Sequence, residues 1–182
     1  MQYGVQYVNI WLDSSDFRVA KKAGKRGLKS DKWSFKLNSP GRRFMFACDG
    51  KVKVRRLWGG YSPKVHDGTF LELMHESIEQ ELHSAHVIGD QHFAKGRRLF
   101  DEILFYTPFK QPSTPKPDAE GLAMLTRQQK DYNAKLYRLR ARVERPFGWL
   151  SRTFASLDKP WPDTMEQLDA LVTFAVGVYN MQ

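Results

Sequence analysis

At 182 residues, with 41% hydrophobic and 13% aromatic content, the chain is long enough for one ordinary domain with its own core and short for two. A net charge of +9 and a pI near 9.7 point to a polyanionic partner, nucleic acid before a membrane surface, because counterion release rewards clustered Lys and Arg. The single cysteine, Cys48, excludes an internal disulfide framework and a multi-cysteine zinc site, and no run of about 18 apolar residues offers a membrane span.

The start, MQYGVQYVNIWLD, lacks the basic region and cleavage site of a signal peptide and reads as a buried strand stopping at Asp13. With the lone cysteine this fits an intracellular protein, nuclear in a eukaryote and cytoplasmic otherwise. Residues 18–32 carry seven Lys or Arg and two glycines. They read as a basic loop, either a solvated connector or a phosphate contact through Lys21, Lys22, Lys25 and Arg26. KWSFKLN, RRFMFACD and KVKVRRLW follow, separated by SPG and DG. Those steps predict an antiparallel meander of three strands, with Cys48 a buried thiol in the second.

From Asp67, read as an N-cap, Leu71, Met74, Ile78 and Leu82 recur at helical spacing. SAHVIGD is a second buried strand ending in an aspartate, Asp90. HFAKGRRLFDE predicts a short helix and ILFYTPF a strand, followed by the proline-rich loop KQPSTPKPD. From Asp118, Leu122, Leu125, Tyr132, Leu136, Leu139 and Val143 fall on one stripe of a long amphipathic helix. Asp163 and Glu166 form a capping box for a last helix through Leu168, Leu171, Val172 and Tyr179. The order predicts an α/β fold, a mixed sheet flanked by helices.

Three carboxylates stand out against the basic background. Asp13 and Asp90 each close a buried strand, where rigid backbone meets open loop. Glu144 lies in YRLRARVERPFGW, on the same helical face as Tyr137 and Arg140 at about 100° per residue. Converging carboxylates need a cation, and hard oxygen ligands suit Mg²⁺ or Mn²⁺. Two such ions would serve an in-line phosphodiester displacement, with Lys and Arg holding the substrate. Pro146, just after Glu144, predicts a kink.

WLDSSDF, YSPKVHDG, HVIGDQHF and YRLRARVERPFGWL resemble, in order and spacing, the catalytic domain of DDE transposases, closest to Harbinger-type transposases and their bacterial insertion-sequence relatives. The resemblance implies a ribonuclease-H-like fold and a metal-dependent DNA endonuclease and strand transferase, with Asp13, Asp90 and Glu144 as metal-holding catalytic residues. Asp16 is the rival for the first position. His66 and Asp67 match the family's HD phrase and are supporting residues. Tyr137, Arg140 and Glu144 satisfy a Y-x2-R-x3-E-x6-K pattern whose lysine slot holds Ser151, with Arg152 beside it as a compensating DNA contact. Family members carry a helical DNA-binding region before the first aspartate. With twelve residues before Asp13, the expectation is a single catalytic domain without that region, the region being either lost or supplied by a separate DNA-binding protein, and the family's synaptic assemblies imply a homodimer.

A truncated or domesticated remnant that only binds DNA is the alternative, and a purely hydrolytic nuclease a third reading. His92, two residues from Asp90, is a candidate proton shuttle, whereas the H-x-x-H pair His83 and His86 reads as surface or core-edge residues. Trp58 and Trp149 read as core before base-stacking residues.

Overall fold

The apolar triplet Ile10, Trp11 and Leu12 is buried on both faces of β1 (Asn9–Arg18), as expected of a central strand. In the computed structural model, which describes residues 9–20, 32–110, 125–141, 143–161 and 164–182, β1 does not stop at Asp13. The long β3 (Ser39–Asp49) pairs with it antiparallel from Ile10 opposite Asp49 to Arg18 opposite Gly41. On its other side the short β5 (His86–Ile88) pairs parallel with Asn9 to Trp11 only. Asp13 therefore lies mid-strand, where β1 outruns one of its two neighbours.

The expected meander is rearranged at its start. Only Trp33–Ser34 of KWSFKLN is a strand, β2, which pairs with Ser39 and Pro40. The Ser34 hydroxyl accepts from the Leu37 N–H at 3.1 Å, and Asn38 takes φ 48°, so the turn falls at Phe35 to Asn38. Pro40 and Gly41 are strand residues. A Cβ on Gly41 would meet the Phe17 carbonyl oxygen at 3.1 Å, which is why glycine stands there. The Asp-Gly step does turn the chain. Asp49 Oδ1 accepts from the Lys51 and Lys53 N–H groups, and β4 (Val54–Tyr61) returns against β3. With β6 (Leu104–Tyr106) parallel to β5, the order is β4-β3-β1-β5-β6, and β2 pairs with the N-terminal end of β3.

Helices cover both faces. α1 (Asp67–Leu73) and α2 (His75–Glu81) divide the predicted helix at Met74. Its N-cap is His66 rather than Asp67, whose carboxylate is taken by the Ser14 hydroxyl. With α3 (Gly96–Leu99) these helices enclose Leu12, Met45, Phe70, Ile78, Val87 and Phe93. On the other face α4 (Arg127–Arg140), α5 (Glu144–Thr153), α6 (Ala155–Asp158) and α7 (Met165–Asn180) enclose Trp11, Phe44, Phe46, Ile88, Leu136, Leu150 and Val172. Cys48 is buried in this layer, and burial with nearby Asp49 and Asp13 pushes its thiol up to about 12.

The predicted long helix is two. Thr126 and Gln129 cap α4 reciprocally, and the helix ends at Arg140. Proline lacks an N–H and its ring clashes with the carbonyl four residues back, so a helix running through Arg142 would be disrupted at Pro146. Restarting at Glu144 puts Pro146 in a first turn, where the missing donor costs little. α7 is capped by Thr164 and Gln167 rather than by the expected pair with Glu166; Asp163 lies outside the described residues, as do Asp118 and most of the proline-rich loop. Two antiparallel additions and two parallel strands around β1, with helices on both faces, make this a ribonuclease-H-like fold.

Candidate active site

Trp11 and Ile88 form the last parallel pair between β1 and β5. Asp13 and Asp90 each follow two residues later. Side chains alternate along a strand, so Asp13 shares the face of Trp11, above the core cluster that contains Ile88, Leu136 and Val143. The register thus brings the two aspartates together without reference to their chemistry.

Each has one oxygen already engaged. The Ser14 N–H donates to Asp13 Oδ1 at 2.8 Å. The His92 N–H donates to Asp90 Oδ1 at 2.7 Å, where Asp90 caps the 3-10 turn Gln91–Phe93. Burial pushes the Asp13 carboxyl above its usual range; the Ser14 N–H, Arg140 and Lys36 pull against this, and the charge of Asp90 adds to it. The influence of Asp90 on Asp13 is the electrostatic mark of their closeness.

Arg140, the last residue of α4, reaches into this group. Its Nη1 lies 3.7 Å from Asp90 Oδ2 and its Nη2 lies 3.8 Å from Glu144 Oε1. Glu144 opens α5 with a side chain 64% exposed, against 19% for Asp90. The break between α4 and α5 therefore sets the approach of Glu144, which continuous helix geometry did not predict. Glu144 is linked to the aspartates through Arg140 rather than gathered beside them. Among the described residues no three His, Cys, Asp or Glu side chains stand close enough to hold one ion as arranged.

The other expected residues fall in different places. Asp16 is on the opposite face of β1, buried, accepting from Arg43 Nε at 2.7 Å and the Ser34 hydroxyl at 2.6 Å. Its partners are structural. Asp67 is on that face too, held by the Ser14 hydroxyl at 2.9 Å with Arg43 Nη1 at 3.6 Å, so it buttresses the strand next to Asp13. His66 and His92 are exposed; the observed bond from His92 to Asp90 comes from its backbone. Tyr137, 54% exposed, lines a cleft of about 460 Å³ with Gln91, Phe109, Lys110, Lys130 and Asn133. Arg152 Nε donates to the Gly148 carbonyl on its own helix. Lys21, Lys22, Lys25 and Arg26 lie outside the described residues.

His83 pairs with Glu102 and His86 packs against Tyr106. Trp58 is buried with its N–H on Ser77, and Trp149 packs on Phe154 and Tyr179, so both belong to the core. Sequence reasoning missed Lys36, which it assigned to a strand. The Phe35 to Asn38 turn brings its charge to bear on Asp13. Asn38, a residue tolerant of positive φ, was the available signal for that turn.

The family model described as Transposase DDE domain matches residues 6–180, nearly the whole chain, and the chain belongs to that family. A search of curated proteins and one of solved structures each found no match. Family membership makes this a DDE transposase and endonuclease domain, a class that acts on DNA. No described helix is long and apolar enough to cross a membrane.

Proposed function

We propose that the chain cleaves DNA phosphodiester bonds and transfers the resulting strand ends, with Asp13, Asp90 and Glu144 holding divalent cations. The observation that carries this reading is the register: Asp13 and Asp90 follow the last parallel pair of β1 and β5 by the same two residues. The donor set fits a hard cation. All three are carboxylates, Arg140 and Lys36 are the cations nearby, and burial disfavours the charged form of Asp13, a cost that a bound cation would offset. Two ions of the Mg²⁺ or Mn²⁺ class, when bound, would activate a water or 3′-hydroxyl and stabilise the leaving oxygen.

The chain's own residues do the rest. The Ser14 and His92 N–H groups fix one oxygen of each aspartate and leave the other free to ligate. Ser14 and Asp67 brace β1 from behind. Arg140 and Lys36 hold backbone phosphates beside the acids, with Arg152, Lys21, Lys22, Lys25 and Arg26 extending the contact. Such contacts position DNA without reading its sequence. Recognition by a separate DNA-binding protein and action as a homodimer complete the reading.

Plasmid nicking with Mg²⁺ or Mn²⁺ tests it, run on the parent and on Asp13→Asn, Asp90→Asn and Glu144→Gln. Cleavage should require metal and fall at least about 100-fold in each variant, as expected when a preorganised charge-stabilising group is removed. DNA binding that survives in all four proteins, indifferent to EDTA and without cleavage by the parent, would leave a DNA-binding module. Full activity in the variants would move the site elsewhere.

A further inference from the structure

Arg140 does not sit as an ordinary ion-pair partner. Both of its carboxylate contacts, 3.7 Å to Asp90 and 3.8 Å to Glu144, exceed hydrogen-bond reach. Its charge also acts on Asp13. One guanidinium thus stands between two carboxylates and is fastened firmly to neither. It closes α4 beside the non-helical joint that precedes Glu144, and its side chain is 27% exposed. By contrast Arg43 holds Asp16 with two hydrogen bonds at 2.7 and 3.2 Å in a buried network. The two arginines differ in the way a displaceable cation differs from a structural one.

We infer that Arg140 is an internal counter-cation of the metal-free site, which divalent metal displaces and DNA phosphate then receives. The inference rests on the assignment of Asp13, Asp90 and Glu144 as metal ligands. A guanidinium among the ligands competes with metal, because each carboxylate must give up its attraction to Arg140 when a divalent ion arrives. A phosphate offers the freed guanidinium a better partner, since its planar donors match phosphate oxygens in pairs. Metal and DNA then strengthen each other's binding through Arg140, in addition to any direct contact of the ions with the reacting phosphate. By linkage, the factor by which DNA tightens metal binding equals the factor by which metal tightens DNA binding.

Mn²⁺ binding followed by electron paramagnetic resonance tests this on the full chain, with and without a short mixed-sequence duplex, for the parent, R140Q, R140K and D90N. Without DNA, R140Q should bind Mn²⁺ about tenfold more tightly than the parent, the scale of two loose ion pairs removed. R140K, which keeps the charge, should stay within about threefold of the parent. The duplex should tighten Mn²⁺ binding to the parent by a several-fold larger factor than to R140Q, although R140Q binds the duplex more weakly. Circular dichroism and thermal melting verify that each variant is folded. If D90N binds Mn²⁺ as the parent does, the ligand assignment falls, and this inference with it. If D90N loses Mn²⁺ while R140Q binds it no better than the parent, the site stands and the counter-cation role is overturned.

Discussion

Asp13 and Asp16 lie three residues apart on one strand and face opposite sides of the sheet, and this separation decides their roles. Asp16 is enclosed with Arg43, whose other donors reach the Val65 carbonyl and approach Asp67. Removing one member of a buried pair strands a charge, so Arg43→Met should lower unfolding free energy by about 3–5 kcal/mol. Asp16→Asn combined with Arg43→Met should recover a good part of it, because the buried Asp16 charge is then removed together with its partner. Urea denaturation of the two variants measures this; a loss below about 1 kcal/mol for Arg43→Met would mean that water reaches Asp16. Lys36 gives a different kind of prediction. If it contacts phosphate, Lys36→Gln should weaken DNA binding evenly across sequences and reduce the salt slope of log K by about one. Titrations at several salt concentrations with two unrelated duplexes would reveal any sequence dependence.

At the scale of elements, turn and joint chemistry set the geometry. Asp49 is buried, and burial alone would raise its carboxyl. The Lys53 N–H, Arg55 and the Lys51 N–H outweigh that effect and hold it below its ordinary value of 3.8. A depressed folded-state value gives stability that is present above the unfolded value and is lost as pH falls through the folded one. The stability gap between parent and Asp49→Asn should therefore be constant from about pH 5 to 7 and narrow steadily below pH 3.8. Urea midpoints across that range measure it, and a gap that widened in acid would have the wrong sign. In the neighbouring strand pair, Gly59 faces Phe44, and a Cβ there would fall 1.9 Å from the ring. Gly59→Ala should cost about 1–3 kcal/mol by overpacking, lowering Tm by several degrees in a thermal melt.

These same elements show what the sequence made legible. The buried triplet before Asp13 and the apolar run before Asp90 announce central strands, because strands covered on both faces are apolar throughout. Their parallel register is not local information, yet it is what brings the aspartates together. The Pro-Gly step misled because Gly41 answers to the approach of Phe17 rather than to a turn. Pro146 signalled a perturbed helix. Whether the chain kinks there or stops six residues earlier depends on what packs around it, and Val143 and Leu150 are both buried in the same core cluster. Glu144 was readable as a candidate carboxylate, but the guanidinium between it and Asp90 was not, since helix spacing gives direction without reach.

Over the whole molecule, α7 binds the C-terminal end of the chain to the sheet. Asn180 Oδ1 accepts from the Val54 N–H at 2.9 Å, and its Nδ2 donates to the Val54 carbonyl at 2.7 Å, while the Tyr179 hydroxyl donates to the Val52 carbonyl. Val54 begins β4, the outermost strand on that side. The asparagine amide thereby imitates a further strand residue and occupies backbone groups that would otherwise face solvent. An unpaired strand margin is a template for another chain, and the ion pairs of Arg55 with Asp49 and Arg56 with Glu81 place charged side chains along this one. The Asn180 side chain thus shields the first residue of that margin. Tags or truncations that disturb the last residues would act as self-association mutations, even though they lie far from any acid of the candidate site.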